Sequence, residues 1–301
     1  MVTVCNERSA PPVTPEALEV LAFNMERGIY PEALGDFLAH FRPDLILASE
    51  LDVGCARSGG LDVPRELARR LGMHYAFAPE FRELTDPGPG PGIHGNAIFS
   101  RFPILRAEAV ALPMGYDWYR DPQKRTGGRT ALLAELDLGD RLLGAASLHL
   151  ENRTGPEGRL RQMEAVLDAV EALLPGIPVI LGGDLNTNGF DGADKEQLRA
   201  ILADPALRKQ CLEVKEPCLE LAEQRGYRLL PGPDSSIPTR RKHMPGRPPL
   251  ELRLDWLLLR GCGADDARIL SAKREDCPFL KSSFPAEELS DHDAVAAKIY
   301  L

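Results

Sequence analysis

Val179-Ile180-Leu181-Gly182-Gly183-Asp184-Leu185-Asn186-Thr187-Asn188 is an apolar run that stops at two glycines and delivers an acid and an amide two positions apart. Its first half reads as a short buried strand. In an extended chain, positions i and i+2 point the same way, so Asp184 and Asn186 can act together on one small target, such as a water molecule or a phosphate oxygen. A carboxylate on the way out of an apolar strand costs folding energy unless it is paired, hydrated or metal-bound. Taken alone, the stretch reads equally as an Asp-Leu-Asn turn behind a core strand. A second motif breaks the tie: Ser290-Asp291-His292-Asp293, immediately ahead of the apolar run from Ala294 to Tyr300.

Working outward, extended runs recur at 18–23, 45–48, 97–99, 131–136, 142–148, 179–181, 252–259 and 294–300, with helical patterns at 31–41, 64–71, 158–174 and 194–202 between them. Strands and helices mixed from end to end indicate an α/β chain. The Gly139-Asp140 turn predicts an antiparallel hairpin, so mixed sheets are expected. Residues 86–92 alternate Pro and Gly and read as an exposed loop, and Pro231 to Pro249 reads as a long loop ahead of the strand containing Asp255. No composition break marks a linker. The expected organisation is a loose leader over 1–17 and one catalytic domain over 18–301.

Bulk composition narrows the function. The 301 residues are 44% hydrophobic and 27% charged, ordinary for a globular chain. No apolar run approaches the roughly 20 residues of a membrane helix, and residues 1–15 lack the pattern of a secretory signal. A cytoplasmic protein without membrane insertion or obligate protein partner is expected. Six cysteines are scattered without a CxxC, which argues against a zinc site or a disulfide framework, although spacing leaves a Cys211–Cys218 bridge open. The net charge of −9 argues against a generic polyanion binder. Basic residues nevertheless gather at 120–129 and 239–247, as solvated loops or as a rim for a phosphorylated ligand.

Polar residues then fall at the ends of the apolar runs. Asn24 and Glu26 follow Leu21-Ala22-Phe23, Glu50 closes 45–48, His149 closes 142–148, Asp255 interrupts 252–257, and Asp291 and His292 precede the last strand. Each has a plain reading as a turn residue, a surface acid or a satisfied core histidine. Together they form the mouth of one site on an α/β scaffold. Carboxylates and amides without thiolates suit a hard divalent cation, magnesium or manganese, which offsets charge building on a phosphoryl group. A histidine backed by a carboxylate can move a proton or hold a phosphate. No nucleophile elbow, P-loop or dinucleotide fingerprint competes.

The chain resembles the endonuclease/exonuclease/phosphatase superfamily, the DNase I-like fold. The resemblance rests on motifs in family order: Phe23-Asn24-Met25-Glu26, Ser49-Glu50, Gly95-Asn96-Ala97-Ile98-Phe99-Ser100-Arg101, Ser147-Leu148-His149, Gly183-Asp184-Leu185-Asn186, Arg253-Leu254-Asp255-Trp256 and Ser290-Asp291-His292. It implies a four-layer α/β sandwich, with two mixed sheets face to face and helices outside. It also implies a metal-dependent phosphoesterase acting on a phosphorylated substrate. By resemblance, Glu50 is the metal-binding glutamate, Asn24 and Glu26 are its first-motif neighbours, and Asp291 is a metal-shell or water-orienting carboxylate. Asp184 and Asn186 position water and phosphate, Asp255 pairs with the terminal His292, and His149 contacts phosphate. Asn96, Arg125, Arg129, Arg240 and Arg241 are expected to bind substrate, with Lys242 on the same rim.

Three positions depart from the family pattern. Ser49 stands where Gln is common, Trp256 replaces a Tyr, and Glu26 replaces a shorter acid or amide, which puts its metal role in doubt. No counterpart appears to the long DNA-wedging loops of the repair nucleases. Trp118 and Tyr119 read either as base-stacking or as packing residues. The substrate stays open between a short or single-stranded nucleic acid and a small phosphorylated metabolite or lipid headgroup.

Overall fold

Two strand–helix–strand units set the architecture. In the computed structural model, which describes residues 1–6, 15–232, 236–244, 246–281 and 283–301, the chain runs β1 (Thr3–Cys5), β2 (Ala17–Arg27), α1 (Pro31–Phe41), β3 (Leu45–Val53), α2 (Val63–Leu71), β4 (His74–Glu83), β5 (Ile93–Ser100) and β6 (Ile104–Ala111). There follow β7 (Arg125–Gly127), β8 (Thr130–Asp137), β9 (Leu142–His149), α3 (Pro156–Leu173), β10 (Val179–Asp184), α4 (Lys195–Ala203), α5 (Pro205–Glu213) and α6 (Pro217–Gln224). The last elements are β11 (Arg228–Leu230), β12 (Arg240–Met244), β13 (Arg247–Leu252), β14 (Asp255–Arg260), β15 (Gly263–Leu270) and β16 (Ala294–Tyr300).

Helix α1 starts on Pro31, whose fixed φ suits a first turn, and stops where Arg42 turns left-handed and its N–H caps Leu38. It returns the chain so that β3 lies parallel to β2. Helix α3 likewise starts on Pro156 and sets β10 parallel to β9. All other pairings are antiparallel. They complete one eight-stranded sheet, β1-β4-β5-β3-β2-β16-β15 with β7 beside β4, and one six-stranded sheet, β11-β14-β10-β9-β8-β6.

The layers follow from what each face buries. Leu18, Val20, Leu45, Leu47 and Ile98 of the first sheet meet Leu132, Leu143, Ile180 and Leu257 of the second in one core. The other face of the first sheet packs on α1 and α2 through Phe37, Leu38 and Leu67. The other face of the second packs on α3 and α6 through Met163, Val166 and Leu219. This is the four-layer α/β sandwich, two mixed sheets face to face with helices outside. The two glycines of the opening motif serve that packing. A Cβ on Gly182 would stand 2.8 Å from Leu257 and 2.9 Å from Leu47, inside the seam. One on Gly183, at φ +138°, would strike the Leu148 carbonyl.

Several boundaries differ from the sequence reading. Within the stretch read as a loose leader, Thr3–Cys5 pairs with β4 as an edge strand; residues 7–14 lie outside the described set. The expected loop at 231–249 contains β12 and the start of β13, a two-stranded hairpin that tolerates Pro248 and Pro249 because a hairpin edge has N–H positions to spare. The run 252–259 breaks at Arg253-Leu254. There the hydroxyl of Thr239 accepts from the N–H groups of Leu254 (2.9 Å) and Asp255 (3.0 Å), taking them out of any ladder. All six thiols are free, so Cys211 and Cys218 are not bridged.

Candidate active site

Strand register puts the key side chains in one row. Across the second sheet, Asp184 of β10 lies opposite His149 of β9 on one side and Asp255 of β14 on the other. Facing them from the first sheet are the ends of β2 and β3, where both strands are bulged, between Asn24 and Arg27 and between Ala48 and Leu51. The bulges drive Glu26, Arg27 and Glu50 to positive φ (43°, 69° and 56°), and Asn186 sits at 51° on the opposing side. Non-glycine residues there carry backbone strain of about 1 kcal/mol or more each, which packing elsewhere must offset. The strain turns these side chains into the cleft between the sheets.

Asp184 is the common point. Its Oδ1 accepts from the Asn186 N–H (2.9 Å), and its Oδ2 accepts from Asn24 Nδ2 (3.1 Å) across the seam. The same Oδ2 faces His149 Nε2 at 3.5 Å and His292 Nε2 at 3.7 Å. Burial raises its carboxyl above the usual range, and the His292 charge offsets this only in part.

The two histidines are held differently. His292 Nδ1 bonds Asp255 Oδ2 at 2.8 Å. Burial opposes its charge, but Asp255, Asp184 and Asp291 outweigh burial and push it up to about 9, so it is a cation at neutral pH. His149 Nδ1 lies 2.8 Å from Arg129 Nη1. A guanidinium can only donate, so Nδ1 accepts and the ring carries its proton on Nε2, toward Asp184 and Glu50. Burial and then Arg129 hold His149 well below the usual range, which keeps it neutral.

A carboxyl cluster occupies the other end of the cleft. Glu50 lies 3.9 Å from His149 Nε2; burial works against its ionisation, but Arg27 leads the charges that hold it well below the usual range. Glu26 accepts from the Asp291 N–H at 3.1 Å, and burial followed by the charge of Asp291 raises it. Asp291 takes two bonds from Arg240 on Oδ2 (3.1 and 2.7 Å) and turns Oδ1 toward His292 Nε2 at 3.8 Å.

The sequence model of the Endonuclease/Exonuclease/phosphatase family matches residues 21–292. The chain belongs to this family. No curated protein matches it in sequence. Among solved structures, it resembles an endonuclease/exonuclease/phosphatase from Beutenbergia cavernae (TM-score 0.62, 18% identity, covering 95% of this chain and 72% of that one). It also resembles D. rerio TDP2 complexed with single strand DNA product (0.56, 16%, 95% and 100%). The human Nocturnin catalytic domain with bound sulfate anion is a third likeness (0.54, 18%, 96% and 93%). These likenesses support the DNase I-like fold.

Of the residues expected from sequence, Asn24, Glu26, Glu50, His149, Asp184, Asn186, Asp255, Asp291, His292 and Arg240 meet in or around this one cleft. The remaining expected substrate binders sit behind it or beside it. Arg129 is buried against Glu80 (3.3 Å), Glu151 (3.4 Å) and His149, so it backs His149 rather than facing solvent. Arg125 is buried, 3.4 Å from Glu83 and stacked on Trp118. Arg241 is locked to Asp293. Asn96 donates to the Thr130 carbonyl at 2.8 Å and leaves its buried Oδ1 unbonded. Trp118 packs inside with Nε1 on Glu151, while Tyr119 is exposed.

Sequence reading missed Glu80 and Glu151, which balance Arg129, and Thr239, which ties the Asp255 backbone to that of Asp293 through its carbonyl (2.7 Å). It also missed Arg159, buried beneath both neighbouring loops, where it bonds Glu216, the Phe190 carbonyl and the Glu151 carbonyl. A buried arginine between helix faces was the available signal, since position 159 falls on the inner side of α3.

Oxygen donors dominate the cleft. The charges of Asp291 and Glu50 disfavour that of Glu26, and Glu50 disfavours that of Asp291; such a set fits a hard divalent cation. Asp184, Asp255 and His292 form a second, deeper group whose donor atoms lie within 4.8 Å of one another, and Asp255 Oδ1 there is buried without a hydrogen-bond partner. Among the described residues, no helix is long and apolar enough to cross a membrane.

Proposed function

We propose that this chain is a divalent-metal-dependent phosphoesterase that cleaves a phosphate ester by in-line attack of water. The observation that carries the reading is the single Asp184 oxygen faced by a neutral and a cationic histidine at 3.5 and 3.7 Å. Asp184, its carboxyl raised by burial and oriented by Asn24 and Asn186, is suited to take a proton from water near neutral pH. His149 presents Nε2–H to a non-bridging phosphate oxygen. His292, charged and held by Asp255, stabilises the negative charge that grows on the phosphoryl group. Arg240, braced on Asp291, adds a further positive group at the same end. Glu50, with Glu26, Asp291 and Asn24 around it, would hold magnesium or manganese, which when bound neutralises phosphoryl charge.

Two likenesses support a phosphate-binding cleft: one was solved with a single-strand DNA product and one with a sulfate anion. The test is turnover across single- and double-stranded DNA, abasic DNA, RNA, sphingomyelin and soluble sugar and inositol phosphates, each with and without EDTA. An EDTA-sensitive hit that disappears in both Asp184→Ala and His292→Ala, with unfolding midpoints preserved, supports the assignment. Full turnover in either variant overturns it. A non-catalytic phosphate-binding module is the alternative, and it predicts no turnover and weak magnesium affinity by calorimetry.

A further inference from the structure

The four oxygen donors expected around a divalent cation are not equally free. Asn24 Oδ1 accepts from the Glu26 N–H at 3.1 Å, and its amide donates to Asp184. Glu26 Oε2 accepts from the Asp291 N–H at 3.1 Å, and its Oε1 lies 4.0 Å from Arg27 Nη1. The Glu50 carboxylate is half-buried beside His149 Nε2 at 3.9 Å, and among the described residues no hydrogen bond reaches it. Asp291 is the opposite case. Arg240 donates Nε and Nη2 to its Oδ2 at 3.1 and 2.7 Å, and its Oδ1 faces His292 Nε2 at 3.8 Å.

Strand register holds this clasp in place. Arg240 pairs with His292 in an antiparallel bridge. The Arg241 N–H donates to the Asp291 carbonyl at 3.1 Å, and the Asp293 N–H donates to the Thr239 carbonyl at 2.7 Å. Alternation along β12 sends the next side chain, Arg241, to Asp293 instead, so the clasp on Asp291 belongs to Arg240. A guanidinium stays charged at any working pH, and its planar N–H groups match a carboxylate. It compensates Asp291 as a metal would, and a metal that takes this carboxylate has to displace it. Two cations on one half-buried carboxylate repel each other where water screens them poorly.

We propose that Arg240 is a resident competitor of the divalent cation for Asp291, which keeps metal affinity low and ties metal loading to release of a guanidinium beside His292. The inference rests on the metal-dependent phosphoesterase reading and adds regulation to it. Glu50, whose oxygens are unclaimed, offers the entry ligand, and Asp291 joins only by breaking its ion pair with Arg240. Once freed, the guanidinium is available to the phosphoryl oxygens at the same end of the cleft.

Calorimetric titration of manganese and of magnesium into the full chain tests this without turnover. Arg240→Met and Arg240→Gln remove the charge, and each should bind either ion roughly tenfold more tightly than the wild type. Arg240→Lys keeps the charge and should stay within about threefold of the wild type. In an Asp291→Asn background no carboxylate is contested, and the gain from Arg240→Met should shrink to within about twofold. Equal affinity with and without Arg240 overturns the competition. So does a gain that persists in Asp291→Asn, or one that Arg240→Lys reproduces. All three leave the phosphoesterase reading standing, whereas no metal binding by the wild type or any variant overturns that reading and the competition together.

Discussion

His149, at the end of β9, and His292, in the turn ahead of β16, approach one oxygen of Asp184 at nearly equal distance, yet one is neutral and the other a cation. The difference lies on the far side of each ring. Arg129 donates to Nδ1 of His149 and leaves it neutral; Asp255 accepts from Nδ1 of His292 and makes it a cation. With burial common to both rings, the group on the far nitrogen, an acceptor carboxylate for His292 and a donor guanidinium for His149, separates their charge states. One carboxylate thus meets a hydrogen-bond donor without charge on one side and a charged donor on the other. That is a division of labour suited to a phosphoryl group, which needs both orientation and charge compensation.

The comparison breaks most completely at its shared point. Asp184→Asn keeps the shape but removes the base and the anion that both rings face, and turnover should fall by about 10³ or more. Retained turnover on an EDTA-sensitive substrate would remove Asp184 from the chemistry.

Asp255→Asn attacks one side only. In the folded chain the pKa of His292 is raised to about 9, so the stability it contributes is fully present below about 6.5 and is lost as pH rises through 9, where its charge itself is lost. Both the stability it contributes and the alkaline limb of the rate profile should follow that loss. Without Asp255 the limb should move to lower pH, with a fall of about 10² in kcat at neutral pH. An unmoved limb would mean that His292 does not act as a cation.

Arg129→Lys tests the other side. Lysine keeps a charge near Glu80, whose carboxyl burial drives up to about 7 even against Arg129. It cannot span His149, Glu80 and Glu151 at once. The His149 ring should lose its fixed tautomer and kcat should fall by about tenfold, as steady-state kinetics would report.

Thr239→Val is the mildest break. Two buried N–H groups lose their acceptor, which should cost about 1–3 kcal/mol in urea unfolding. Thr239→Ser should recover most of that.

Much of this was legible in the sequence. The apolar runs ending in Asn24, Glu50, His149 and Asp184 marked four strands and the cleft at their ends, because strand ends and chemistry coincide there; which pairs run parallel came from the fold. The hairpin at Arg240 to Leu252 was not, since its prolines and charges look like a loop, and only the folded chain packs Leu250 and Leu252 on Phe190 and Ile201. Strand β4 was also passed over. Its buried Glu80 and Glu83 break the apolar pattern, and they are buried because arginines from distant segments neutralise them. Arg129 looked like a rim residue for the same reason. Its three partners lie 20 to 49 positions away, and only the folded chain brings them to its guanidinium.

The seam between the sheets carries a consequence of its own. Asn24 to Asp184 and the Ser147 hydroxyl to the Ala48 carbonyl (2.8 Å) pin the two sheets like dowels, with no room at Gly182 for slippage. Asn24, His149 and Asp184 therefore belong to the rigid chassis, while exposed Tyr119 stands on replaceable coachwork. A lineage can refit the loops for a new cargo and leave the engine untouched.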